Sequence, residues 1–263
     1  MQHTLFISSL KGAESDMNDT ISLLMNHRSI RKYSDAPVTK EQVETIVAAG
    51  QMASSSSNVQ AYTVIAVTDP AQKDKLKELC GQQTYIAECP VFLVWCGDLS
   101  RLKRAAERHL PEKQSYEQTT ENFIVATVDV ALAAQNAAVA AESLGLGIVY
   151  IGGIRNHSQE VSELLGLPEL AYPVFGMCLG YPDQNPGQRP RLPQEAVLHW
   201  EHYRLQQGEV AVERYDEVMA EYLRERTGGA KDTPWSLLMA EKLVHPSRAH
   251  MKSFLRDRGF LKE

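Results

Sequence analysis

Residues 115–144 leave the chain few ways to fold. Val128, Ala131, Leu132, Ala134, Ala137, Ala138, Val139, Ala140 and Ala141 follow one another here with little polar face between them, the pattern of a helix buried on more than one side. A helix of roughly 28 residues is about 42 Å long, enough to cross a whole domain. The rest of the chain therefore has to be built around it, as a central core element or as the face between two subunits. Glu142 interrupts the apolar run before it reaches the roughly 18 to 20 residues of a membrane span, so a soluble protein is expected. Gly145 and Gly147 stop the helix.

Shorter elements flank it. Ile21, Leu24 and Met25 fall at helical spacing within 16–28, and a helix is predicted to end near His27. Thr39-Lys40-Glu41-Gln42 has the form of a capping box, and Val43, Ile46 and Val47 supply the apolar face of the helix it opens. The β-branched runs 62–68 and 91–96 read as strands on either side of an amphipathic helix over 71–79, which Gly81 ends. Residues 148–151 and 173–179 read as buried strands, with a capped helix over 158–165 between them. The prolines at 182, 186, 190 and 193, with Gly187, make 181–193 a long loop. Beyond it come a helix over 210–226, a Thr227-Gly228-Gly229-Ala230 hinge and further amphipathic helices, with no strand. The organisation expected is an extension over 1–16, an α+β core over 17–193 and a helical extension over 194–263.

Charge and cysteine usage exclude several functions. With 27 basic against 33 acidic residues the net charge is −6, which argues against a general nucleic-acid or anionic-membrane surface. The N-terminus lacks a secretory signal. Cys80, Cys89, Cys96 and Cys178 form no C-x-x-C pair and have no histidine at ligand spacing, so no metal site is expected, and a reducing cytoplasm is. There is no G-x-S-x-G elbow, no H-E-x-x-H and no P-loop, which disfavours hydrolase and ATP chemistry.

Four constellations remain. His27, Arg28, Ser29 and Arg31, with Lys32, gather positive charge and a hydroxyl at a helix end. Guanidinium forks match phosphate oxygens, although cations in that place also offset the helix dipole. Ser54, Ser55, Ser56 and Ser57 precede Asn58 and Gln60; this is a solvated loop or a row of hydroxyls able to bond a polyol or a heterocycle edge. Tyr150 and Ile151 lead into Gly152 and Gly153. In the run from Gly145 and Gly147 to Gly152 and Gly153, the first pair follows a helix and enters a strand, and no third glycine falls at the place a dinucleotide fingerprint needs, which rejects a Rossmann site. A turn, or bare backbone able to approach a flat ligand, is left. Arg189 and Arg191 alternate with Pro190 and Pro193, a stiff loop that presents two guanidiniums at low entropic cost.

In order along the chain, H-R-S-I-R, S-S-S-S-N-x-Q, A-Q-N-A-x-x-A-A-E-S-L-G-L-G, Y-I-G-G-x-R-N, L-G-Y-P-x-x-N-P and P-R-L-P resemble the flavin-dependent nitroreductase superfamily. They look most like its branch of oxygen-insensitive NADPH nitroreductases and NADPH:flavin oxidoreductases. The resemblance runs from about residue 19 to the C-terminus. It implies a mixed, mainly antiparallel central sheet flanked by helices, an intertwined homodimer with a C-terminal helical arm, and FMN at two sites in the dimer interface. Carried over residue by residue, it makes His27, Arg28, Ser29 and Arg31 contacts at the phosphate and pyrimidine ends. Ser54, Ser55, Ser56 and Ser57 come partly from the partner protomer, together with Gln83. Tyr150, Ile151, Gly152 and Gly153 lie along the ring, and Arg189 and Arg191 complete the cluster. No side chain is implied as general acid or nucleophile, because the flavin performs the redox step. Arg226 and Lys231 stand where this branch binds the NADPH 2′-phosphate. The loop carries few positive charges and sets Glu225 between two arginines, so NADH is an alternative donor. The activity implied is ping-pong, two-electron reduction of nitroaromatics, quinones or flavins. The alternatives are a flavin reductase supplying FMNH₂ to a partner oxygenase and a non-enzymatic flavin-binding redox sensor.

Overall fold

The computed structural model of the chain describes residues 18–262, and the extension read over 1–16 lies outside the described residues. Helix α1 (Asp19–Met25) starts where the Asn18 side chain accepts the Ile21 amide. Helix α2 (Lys40–Gln51) opens on the expected capping box, in which the Thr39 and Gln42 side chains each accept the other's backbone amide. Strand β1 (Tyr62–Val67), helix α3 (Pro70–Leu79), the single turn α4 (Tyr85–Glu88) and strand β2 (Val91–Asp98) follow. Next come α5 (Ser100–His109), the long α6 (Thr120–Ser143), β3 (Gly147–Ile151), α7 (Ser158–Leu164) and β4 (Ala171–Gly180). Helices α8 (Leu205–Arg226), α9 (Trp235–Val244) and α10 (Met251–Asp257) finish the chain.

The four strands make one sheet in the order β1-β2-β4-β3, and every neighbouring pair is antiparallel. The parallel part of the expected mixed sheet reduces to one bridge, Ser29 to Ile148, beside β3. Both β1 and β3 are therefore edge strands of the ladder, a fact that decides where the site residues fall.

Helix α6 is shorter than its apolar pattern implied. It has 24 residues and begins at Thr120, where the Thr119 hydroxyl caps it by accepting the Asn122 amide. Ala126, Val130, Ala133, Ala134, Ala137, Ala138 and Ala141 are fully buried with Ile46, Trp95, Ile148 and Leu179 in one core. Small side chains are required there, because a methyl group added at Gly50 of α2 would lie 2.9 Å from the Ala133 carbonyl oxygen. The opposite face is different: Ile124, Val128 and Leu132 remain 43–48% exposed. By length and composition this helix is apolar enough to cross a membrane, so Glu142, contrary to the expectation from sequence, does not exclude a span. Its alanine face is nevertheless packed in the core. A second core on the other side of the sheet joins Leu76, Ile86, Phe92, Val149, Ile154 and Val161, and the four cysteines are buried and unpaired.

Gly147 belongs to β3 and does not stop the helix; Gly145, at φ +79°, makes that turn. A Cβ at Gly147 would sit 2.5 Å from Cγ1 of Ile30, itself buried. Gly147→Ala is expected to destabilise the fold by about 1–3 kcal/mol through overpacking, seen calorimetrically as a fall of about 2–4 °C in Tm per kcal/mol. An unchanged Tm would mean that Ile30 has room to swing aside.

The chain divides into two compact units, one of residues up to Pro186 together with those from His250, the other Gly187–Ala249. Residues 194–263 are thus not one body. Helix α10 returns to the first unit because Phe254, Leu255 and Phe260 are needed in the α6 core, where the Phe260 ring meets Tyr172 edge-on at 4.9 Å. Within the second unit, Tyr215 of α8 packs on Trp235 at 5.6 Å, and Asp216 caps α9 by accepting the Ser236 amide at 2.7 Å.

Candidate active site

The basic cluster lies along the β3 edge. The Ile30 amide donates to the Ile148 carbonyl at 2.9 Å, and the chain leaving β4 crosses over it, with Ser34 N bonded to the Tyr181 carbonyl and Asp183 N to the Lys32 carbonyl. This threading strings His27, Arg28, Ser29 and Arg31 beside β3. His27 Nδ1 is 2.5 Å from Glu142 Oε1 at the end of α6. Arg28 donates from Nη1 to Asn185 Oδ1 at 2.8 Å, while its Nε is buried with no partner. A buried charged donor without a partner is costly, so this guanidinium suits an anionic oxygen. Arg31 is exposed and makes only a long 3.5 Å contact to the Ser29 carbonyl.

At the end of β3 the backbone turns through Gly152 and Gly153. A Cβ on Gly153 would lie 2.4 Å from both the Cys80 carbonyl oxygen and Gln83 Nε2, so only glycine allows Gln83 to rest there. Gln83 is itself fixed: Nε2 donates to the Cys80 carbonyl at 2.7 Å, and the Tyr85 hydroxyl donates to Oε1. Tyr150 is half-buried, edge-on to Phe175 at 5.1 Å. Burial, and then the Glu142 charge, push its phenol above the ordinary range, so this hydroxyl stays neutral. Ile151 is buried, with its side chain in the second core.

The serines are elsewhere. Ser54, Ser55, Ser56 and Ser57 precede β1, whereas Gly152 follows β3 on the opposite edge of the sheet, where the register sets Ile151 level with Ile65 in the middle of β1. Three interstrand steps of about 4.8 Å separate the edges by about 14 Å, so one chain does not bring the two groups together. The remaining residues belong to the second unit. There the Tyr215 hydroxyl donates to the Pro190 carbonyl at 2.8 Å and pins the loop between Arg189 and Arg191. Arg226 donates to the Tyr222 hydroxyl at 2.6 Å, and the Lys231 amide donates to Thr227 Oγ1 at 2.9 Å.

Sequence reasoning missed several residues that hold these groups in place. Asp129 accepts two backbone amides of the serine loop; the signal for it was a single charge between Glu121 and Glu142 in an otherwise apolar helix. Asn185 and Glu142 stood within quoted motifs, but their partners Arg28 and His27 lie far away in sequence; Tyr85, two residues from its partner Gln83, had no signal of its own.

Comparison with known proteins identifies the family. The nitroreductase family model matches residues 24–181, and the model of the nitroreductase family C-terminal domain matches 189–263. The chain is 40% identical to the FMN reductase (NADPH) of Bacillus subtilis, over 94% of this chain and all of that protein. It is 41% identical to the oxygen-insensitive NADPH nitroreductase of Salmonella typhimurium, over 93% of this chain and 99% of the relative. The solved structure of B. megaterium NfrA1 superposes with a TM-score of 0.90 at 44% identity, covering 93% of this chain and all of that one. With both family models matched in order across nearly all described residues, the chain belongs to the nitroreductase family.

Proposed function

We propose that this chain is an FMN-dependent NAD(P)H oxidoreductase that reduces flavins, nitroaromatics or quinones by two-electron transfer. The observation that carries the reading is Arg28, a guanidinium with a buried unpartnered Nε beside His27, Ser29 and Arg31. These residues fit the cofactor. A phosphate carrying about −1.5 to −2 charge meets fixed positive groups, and the bare backbone at Gly152 and Gly153, backed by Gln83, suits a flat ring. The chemistry supplied by bound FMN is hydride transfer from a reduced nicotinamide to an acceptor. Arg28 and Arg31 would hold the phosphate, and such preorganised positive charge stabilises negative charge that develops nearby. Tyr150, neutral throughout, packs without competing as an acid. A reducing cytoplasm suits the four unpaired, buried cysteines.

A second copy completes the site in this reading. Ser54 to Ser57 of one protomer reach the β3 edge of the other, and the 187–249 unit embraces the partner. The apolar exposed faces of α1 (Ile21, Leu24, Met25) and α6 (Ile124, Val128, Leu132), each residue 42–55% exposed, supply the surface to be covered. Light scattering after size exclusion is expected to give a dimer; a stable FMN-bound monomer would overturn the shared site.

The direct test is the visible spectrum. Purified protein is expected to show oxidised-flavin bands that bleach on anaerobic addition of NADPH, which also excludes a passive flavin sensor. A colourless protein that takes up no added FMN would overturn the reading. Relative turnover of free FMN and of a quinone then separates a flavin reductase serving an oxygenase from a general acceptor reductase. For the nucleotide, Arg226→Ala and Lys231→Ala are each expected to raise the NADPH KM about tenfold, the loss of a charge-assisted contact, and to leave the NADH KM nearly unchanged. An unchanged NADPH KM would place the 2′-phosphate elsewhere.

A further inference from the structure

The loop between α2 and β1 holds three non-glycine residues in the left-handed region: Ser57 at φ 47°, Asn58 at 58° and Gln60 at 52°. Asparagine enters that region readily, but serine and glutamine are held there at a cost that the surroundings must offset. Two charged side chains enforce it here. Asp129 on α6, 1% exposed, accepts the Ser56 amide on Oδ1 at 3.0 Å and the Ala61 amide on Oδ2 at 3.1 Å, one on each side of the strained residues. Arg101 on α5 donates from Nη2 to the Gln60 carbonyl at 3.1 Å and to the Tyr62 carbonyl, and from Nη1 to Thr63 Oγ1 at 3.1 Å. Asp98, 3.7 Å from Arg101, accepts the Thr63 hydroxyl at 2.6 Å and steadies that end. A carboxylate thus gathers the amides of the turn, and a guanidinium gathers its carbonyls. Tyr62 lies within reach of both: burial and then the Asp129 charge raise its phenol, against the pull of Arg101.

We propose that Asp129 and Arg101 are positioning residues that set the Ser54 to Gln60 loop in its flavin-binding conformation before the cofactor arrives. The inference rests on the reading that this loop contacts flavin. A loop already ordered loses little freedom on binding, so its affinity is higher than that of the same residues on a mobile segment.

Asp129→Asn keeps the shape but turns an amide donor toward a backbone N–H, releasing one anchor. Arg101→Gln removes the other anchor at a site where half the side chain is in solvent, so folding survives. The full-length protein is stripped of FMN and retitrated, and hydrogen exchange is followed at 56–61. Both variants are expected to weaken FMN binding at least about tenfold and to speed exchange of the Ser56 and Ala61 amides, with the NADPH KM of the FMN-saturated enzyme within about twofold of the parent. Ile46→Val, in the core beside α6, controls for general destabilisation and should change neither exchange in the loop nor affinity. Unchanged exchange, or faster exchange with unchanged FMN affinity, overturns the inference. The double variant Ser54→Ala/Ser57→Ala tells the two failures apart. If it weakens FMN binding while the anchor variants do not, the anchors alone are misassigned; if it too leaves affinity unchanged, the loop is not a flavin contact.

Discussion

Arg28→Ala is expected to purify almost colourless and to bind added FMN about 100- to 1,000-fold more weakly than the parent. Hydrogen bonds to charged groups contribute about 1.5–3 kcal/mol each. Losing two of them at the lower end of that span, about 3–4 kcal/mol at about 1.4 kcal/mol per tenfold, gives that range. Arg28 has more to lose than its neighbours because of where it sits. Its Nη1 is already held by Asn185 at 2.8 Å, so the side chain is ordered before any ligand binds, and the buried Nε has no other partner. Arg31, exposed and loosely placed, resembles an ordinary surface charge, and Arg31→Ala should cost about tenfold at most. Arg28→Lys separates charge from shape: a lysine keeps the charge but not the planar fork, so intermediate affinity is expected. Fluorescence titration of the apoprotein with FMN measures all three. A dissociation constant for Arg28→Ala within about threefold of the parent would show that the orphaned guanidinium has another purpose and would remove the main support for the flavin reading.

What could be read from the sequence was what short-range physics decides. The Thr39 to Gln42 capping box formed as expected because both of its bonds lie within four residues. The alanine run gave a buried helix because its period is local, although its start moved to Thr120, where a cap rather than apolarity sets the boundary. Helix α5 escaped notice because its surface is charged and its apolar residues are few. The order β1-β2-β4-β3 is a property of the whole chain. Without it, the serines before β1 and the glycines after β3 cannot be assigned to opposite edges. The return of α10 to the first unit is equally non-local, since nothing near Phe260 in sequence announces Tyr172 as its partner. The candidate site followed the same division. Its cationic and glycine clusters were visible as composition, whereas Asn185 and Glu142, which hold the cationic cluster, and Asp129, which holds the serine loop, act across long sequence separations and needed the fold.

Gly153→Ala is the second substitution with a large expected effect, and it acts through geometry alone. The new methyl group would lie 2.4 Å from the Cys80 carbonyl oxygen and 2.4 Å from Gln83 Nε2. Gln83 is a flexible side chain and could rotate away, giving up its bond to the Cys80 carbonyl. Cys80 cannot follow: its carbonyl belongs to the backbone at the end of α3, which turns there through Gly81 at φ +84°, and its side chain is buried. The end of β3 must therefore retreat, at about 1–3 kcal/mol or more of overpacking, and with it the backbone proposed to face the flavin ring. The expected result is a lowered Tm together with at least about a hundredfold loss of NADPH-dependent turnover, since displacement of a positioning backbone by about 1 Å has consequences of that size. Gly152→Ala provides the contrast, because its methyl group meets nothing nearer than Arg155 Nη2 at 3.4 Å, and a near-parental Tm is expected. Gln83→Ala combined with Gly153→Ala removes only one of the two clashes, so the Tm of the double variant should stay low. Recovery of the parental Tm in that double variant would show that Cys80 yields after all, and that the turn after β3 is set by Gln83 rather than by the end of α3.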